Sequence, residues 1–69
     1  MTIGARLKAA RLKAGLTQQE LADLAFVHRR TIVRLEAIGK RSDSPMLDRV
    51  ATKLKASPAY IRYGDSSVA

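Results

Sequence analysis

A group of basic side chains, interrupted only by Glu36, lies between residues 28 and 41 and consists of Arg29, Arg30, Arg34, Lys40 and Arg41. Guanidinium groups form paired hydrogen bonds with phosphate oxygens and with the edge of a guanine base. The whole chain has 13 Lys and Arg against 6 Asp and Glu, a net charge of +7. Such an excess attracts polyanions, namely nucleic acid, an anionic membrane or an acidic protein. The total charge alone does not distinguish these partners.

The composition argues against several kinds of chemistry. Because the chain has no cysteine, it has no disulfide scaffold, thiolate zinc site or cysteine nucleophile. His28 is the only histidine and has no carboxylate cluster beside it, so we predict no metal site. We find no glycine-rich phosphate loop and no catalytic triad, and we expect no enzyme activity, cofactor or small-molecule ligand. No apolar run is long enough to span a membrane and no signal peptide is recognisable, so we expect a cytoplasmic protein without a membrane partner.

Helical periodicity predicts the elements that carry these charges. The first predicted helix covers residues 2–13 and ends before Gly15, a plausible C-cap. Its apolar stripe is predicted to be Ile3, Leu7, Ala10 and Ala14. Three of its basic residues are expected to form a solvated face: Arg6, Lys8 and Lys13.

The second predicted helix starts at Thr17, where the sequence Thr-Gln-Gln-Glu fits a capping box that ends at Glu20. Its buried face is predicted to be Leu21, Leu24 and Ala25. After an interruption at residues 26–27, the third predicted helix covers residues 28–38 and ends before Gly39. The residues predicted to face inward are Ile32, Leu35 and Ile38.

Two serine–proline pairs mark the last two helices, because proline is well tolerated at the first helical position. The fourth predicted helix begins at Ser44-Pro45 and the fifth at Ser57-Pro58, with the fifth ending before Gly64. The apolar stripe of the fourth is predicted to be Leu47, Val50, Ala51 and Leu54. Five short helices without strand alternation predict an all-α domain over residues 1–64, with a frayed tail at 65–69.

The second and third helices, separated by about three residues, fit a helix-turn-helix motif. In that motif the second helix lies in the major groove and its N-terminal residues reach base edges. The candidates for base contact are His28, Arg29, Arg30 and Arg34. A phosphate would be attracted by the amides and dipole at the start of the preceding helix. The candidates for phosphate contact are Thr17, Gln18, Lys40 and Arg41.

The sequence resembles the lambda-repressor-like helix-turn-helix family of Xre and Cro-and-repressor regulators. The resemblance rests on Leu-Thr-Gln-Gln-Glu-Leu-Ala at residues 16–22, Thr-Ile-Val-Arg-Leu-Glu at 31–36 and Ser-Pro-Ala-Tyr-Ile at 57–61. It implies five helices, a homodimer on two-fold symmetric double-stranded DNA, and a phosphate contact at the position of Gln18. It also implies an ion pair between Arg11 and Glu36, which we expect to be partly exposed.

Three features depart from the family pattern. Phe26 occupies a position where the family prefers glycine, and a bulky residue at positive φ is strained. His28 replaces a small hydroxyl residue and so weakens the N-cap of the third helix. The stretch at residues 36–40 is one residue longer than usual, so the family pattern does not fix the positions of Lys40 and Arg41.

The favoured function is a sequence-specific transcriptional regulator of the repressor kind. Within the family this size suits a phage repressor, a restriction–modification controller or an autoregulatory antitoxin, and the sequence does not separate them. One alternative is a protein-interaction module with an acidic partner, which we would expect to have a longer tail after Gly64. Another is RNA binding, for which the three aromatic residues offer few stacking surfaces.

Overall fold

Five α-helices account for most of residues 2–39 and 44–64, which are the residues described in the computed structural model. The helices are α1 (Ile3–Lys13), α2 (Gln18–Ala25), α3 (Arg29–Glu36), α4 (Pro45–Lys53) and α5 (Pro58–Tyr63). These residues contain no strand, so the prediction of an all-α fold with five short helices is confirmed. Lys40, Arg41 and the tail at 65–69 lie outside the described residues.

Side-chain caps fix where the first two helices begin. Thr2 precedes α1, and its Oγ1 accepts a hydrogen bond of 3.0 Å from the amide of Ala5. At the start of α2, the Thr17 hydroxyl accepts from the Glu20 amide at 3.0 Å. The Glu20 carboxylate accepts from the Thr17 amide at 2.8 Å in return. The predicted capping box is therefore present, and it satisfies two amides that the helix itself leaves unbonded.

The core is aliphatic and lies between all five helices. α1 packs against α3 and α5, α2 packs against α3 and α4, and α4 packs against α5. The buried apolar residues are Ile3, Leu7, Leu21, Ala22, Ala25, Ile32, Leu35, Leu47, Val50, Ala51 and Ile61. None of the aromatic side chains belongs to this core, since Phe26, Tyr60 and Tyr63 are exposed.

Two residues of the predicted core are exposed in the fold. Leu24 is 44% exposed, and Ala22 is buried in its place on α2. The reason is that α3 and α4 both pack against α2, so its buried face includes Ala22. Ala14 is also exposed, because α1 ends at Lys13 and Ala14 is only its C-cap.

The third helix is shorter than predicted: it ends at Glu36 instead of residue 38. The chain beyond it turns toward α1, where the carbonyl of Ile38 accepts a 2.9 Å hydrogen bond from the Gly4 amide. A side chain at position 4 would overlap the carbonyl group of Glu36 and would lie 2.9 Å from the Ile38 nitrogen. Gly4 is therefore required for the close contact between α1 and the end of α3.

Candidate nucleic-acid interface

The third helix has a buried side and a cationic side. Ile32 and Leu35 are buried against the core. The outer face of α3 is formed by the exposed residues Arg29, Arg30, Val33 and Arg34. Their spacing of three and four residues places them side by side on a helix surface. The sequence therefore separates apolar contacts on one side of α3 from a row of guanidinium groups on the other.

The arginines of the outer face of α3 are available for a ligand. The side chains of Arg29, Arg30 and Arg34 make no hydrogen bond or ion pair with another residue of 2–39 or 44–64. Arg30 and Arg34 line a shallow depression together with His28 and Thr31. Guanidinium groups carry five donors in a fixed planar geometry, so these side chains are suited to planar anionic or acceptor-rich partners.

His28 lies at the N-cap of α3 and is exposed. Its side chain makes no capping hydrogen bond, as the absence of a small hydroxyl residue at this position predicted. His28 therefore lies at the N-terminal end of α3 and lines the same depression as Arg30.

The one carboxylate on α3 is directed away from its outer face. Glu36 accepts from Arg11 Nε at 2.6 Å and, more weakly, from Arg11 Nη2 at 3.4 Å. Arg11 Nη1 also donates to the Leu16 carbonyl at 2.7 Å. The two side chains are only 8% and 6% exposed, so this pair is buried, whereas a partly exposed pair was expected. The contact joins α1, the start of α2 and α3.

The residues proposed for phosphate contact at α2 have roles within the fold as well. Gln18 Nε2 donates to Glu36 Oε1 at 3.1 Å, which uses one of its two N–H groups. The Thr17 oxygen accepts from Glu20, and its O–H remains available as a donor. Thr17 and Gln18 therefore lie next to the buried ion pair, and each retains one donor for an anion.

The turn between α2 and α3 contains a strained residue. Phe26 has φ 58° and ψ 44°, the left-handed conformation that glycine adopts readily. This conformation lets the Val27 amide donate to the Ala22 carbonyl at 3.0 Å. The ring is 79% exposed, and Lys53 Nζ lies 5.9 Å from its centroid, within the range of a cation–π contact. The turn thus keeps the geometry expected of glycine despite its aromatic residue.

Not every arginine belongs to a ligand surface. Arg6 was predicted to be solvated, but it donates from Nε to the Ile61 carbonyl at 2.9 Å and from Nη2 to the Arg62 carbonyl at 3.0 Å. Arg62 in turn donates from Nε to Asp48 at 2.8 Å and from Nη2 to the Ser44 carbonyl at 2.9 Å. Arg6 satisfies carbonyl groups in the last turn of α5, and Arg62 joins α5 to the first turn of α4, so both arginines hold α5 in place. The periodicity of the sequence gave no indication of these partners.

One protein family, described as a helix-turn-helix domain, matches residues 2–62. The match therefore includes all of α1–α4 and most of α5. No curated protein matches the chain. No helix within 2–39 or 44–64 combines the length and apolar character that a bilayer-spanning segment needs.

Proposed function

Because the chain belongs to the helix-turn-helix domain family, we propose that it regulates transcription by binding double-stranded DNA sequence-specifically, with α3 in the major groove. The observation that carries this proposal is the outer face of α3. Three arginines without partners among the described residues project there, and the only carboxylate of the helix is buried on the other side. Such a face attracts the phosphate backbone and can donate hydrogen bonds to bases.

The residue roles follow from position on the two helices. We propose that His28, Arg29, Arg30 and Arg34 are the residues that reach base edges, since they lie at the start and along the outer face of α3. The donors near the start of α2 would bind phosphate, where helix amides and the helix dipole also favour an anion. These donors are Thr17 and Gln18. We also propose phosphate contacts for Lys40 and Arg41, which lie outside the described residues.

We further propose the lambda-repressor-like, Xre type within this family and a repressor role. The order of five helices, with the second and third forming the motif, supports this type. The buried Arg11–Glu36 pair supports it as well, because the resemblance implied that contact. The active form would be a homodimer on a two-fold site in the cytoplasm, without catalytic activity, and residues 1–64 would be the DNA-binding unit.

The experiment that tests the function is a binding-site selection from random duplex DNA, followed by titrations on the selected site. We expect a two-fold site whose half-site centres are about 34 Å apart. The logarithm of affinity should fall with the logarithm of salt concentration, with a slope of about 0.9 for each phosphate contacted. Selection that enriches no sequence, or a titration insensitive to salt, would contradict DNA recognition.

Two variants with equal charge distinguish recognition from general attraction. Arg34→Ala removes a charge from the outer face of α3 and should weaken binding to the selected site by about 1–3 kcal/mol if it contacts a base. Lys13→Ala also removes one charge, but Lys13 lines a groove between α1 and the start of α5. Its effect on specific binding should be much smaller. Equal losses from both variants would show that only total charge matters.

A further inference from the structure

Val33 is the one apolar residue on the outer face of α3. Its side chain is 43% exposed, whereas the other aliphatic residues of the helix, Ile32 and Leu35, are buried. Arg29 and Arg30 lie one turn before it, at spacings of four and three residues. A β-branched residue such as valine has a lower helix propensity than alanine or leucine, because a helix restricts the freedom of its χ1 angle. Neither packing nor helix propensity therefore accounts for valine at this position.

The chemistry of the major groove offers one apolar partner for such a side chain. Among the groups that the four bases present there, the C5 methyl of thymine is the only apolar one. Valine is much shorter than arginine, so it can contact a base only where the helix approaches the groove floor closely. Arg30 and Arg34 flank Val33 on the same face and would reach neighbouring base steps and backbone.

Resting on the proposed function, we infer that Val33 is a specificity-determining residue that contacts the C5 methyl of a thymine next to a base contacted by the arginines of α3. The contact excludes water from two apolar groups, so it favours thymine over cytosine at that position without any hydrogen bond. The selected site should therefore contain, in each half, one thymine whose methyl group is required.

The test replaces each thymine of one half-site with uracil, which lacks only the methyl group and keeps the same base pairing. Kd is measured for the unaltered protein and for Val33→Ala. One replacement should weaken the unaltered protein about fourfold, the equivalent of about 0.8 kcal/mol for one methylene-sized group. Val33→Ala should bind the thymine site more weakly and should not distinguish it from the uracil site.

Two variants provide controls for this comparison. Leu12→Ala truncates another exposed aliphatic side chain, on α1, and should keep the full preference for thymine. Arg34→Ala should lose affinity for both duplexes and still prefer thymine. Because Val33 is exposed on the helix surface, its replacement by alanine should not unfold the domain.

Each outcome separates this inference from the proposed function. If the protein binds its selected duplex but no uracil replacement matters, Val33 does not contact a thymine methyl and the proposed function stands. If a uracil effect persists in Val33→Ala, another residue contacts that methyl and the inference is wrong. If no duplex is selected at all, both the function and the role of Val33 are overturned.

Discussion

Removal of the Glu36 side chain tests how the domain holds its third helix. In Glu36→Ala, Arg11 would keep its hydrogen bond to the Leu16 carbonyl but would lose its only anionic partner among the described residues. Gln18 would lose its contact to α3 as well. Since the Arg11 side chain is only 8% exposed, water can replace little of what is lost. The variant therefore leaves a buried charge without compensation.

The expected cost is large for a domain of this size. Breaking one side of a buried ion pair costs about 3–5 kcal/mol, compared with about 0–1 kcal/mol for an exposed pair. At about 0.05–0.15 kcal/mol per residue, a chain of 69 residues has a total stability of about 3–10 kcal/mol. Each kcal/mol lowers the Tm of a small domain by about 4–8 °C, so a loss of 3 kcal/mol corresponds to about 12–24 °C. Glu36→Ala should thus melt far below the parent protein.

Thermal melts and denaturant titrations of five proteins decide whether charge or packing accounts for the stability that the pair contributes. The parent is compared with Glu36→Ala, Glu36→Leu, Arg11→Met and the double variant Arg11→Met/Glu36→Leu. Removing both charges and filling the space should recover most of the stability, because apolar replacement of a buried pair is often neutral. If the double variant loses as much stability as Arg11→Met and Glu36→Leu lose together, the pair contributes through packing. The electrostatic reasoning is then refuted. Arg34→Ala, which removes an exposed arginine, should stay within about 0.5 kcal/mol of the parent.

Three further predictions concern other contacts. Gly4→Ala should destabilise the domain by about 3 kcal/mol or more, because the methyl group meets backbone instead of a flexible side chain. The control in the same denaturant titrations is Gly39→Ala, whose added methyl group would have no described residue within 4 Å. Phe26→Asn should raise the free energy of unfolding by up to about 1 kcal/mol, since relief of about 1–2 kcal/mol of left-handed strain exceeds a cation–π contact of about 0.5–1 kcal/mol. Lys53→Ala measures the cation–π contact alone. An Asn variant less stable than the parent would contradict the strain at position 26. The hydrogen bond from Arg62 lowers the pKa of Asp48 below its ordinary value of 3.8. The ionised Asp48 side chain therefore contributes to folding stability above that value, and this contribution is lost as the pH falls through the lowered pKa. Melts recorded across that range should show a smaller acid-induced fall in Tm for Asp48→Asn than for the parent; equal falls would show that the pair does not contribute.

The elements could be predicted from the sequence wherever the signal is local. The capping box at residues 17–20 and the serine–proline starts of α4 and α5 depend on contacts within one helical turn. The buried residues of α4, namely Leu47, Val50 and Ala51, likewise follow from periodicity. Such signals need no information about neighbouring helices, so they appear in the fold as predicted.

Contacts between helices were harder to predict from the sequence. Ala22 is buried instead of Leu24 because two helices pack on that side of α2, which periodicity within α2 does not reveal. Gly4 looks like an ordinary weak helix residue until the end of α3 is placed against it. Arg6 resembles a solvated cation, and only the position of α5 supplies its carbonyl partners. These residues could be assigned only once the helices were packed together.

The division of the arginines locates the candidate interface more clearly than the net charge of the chain does. Three arginines donate to carbonyl or carboxylate groups within the fold, namely Arg6, Arg11 and Arg62. Three others, on the outer face of α3, have no such acceptor among the described residues. A fold in which Arg11 binds the only acid of α3 also removes the charge that would most strongly repel phosphate from that helix. The buried pair therefore serves stability and leaves the outer face of α3 with no negative charge.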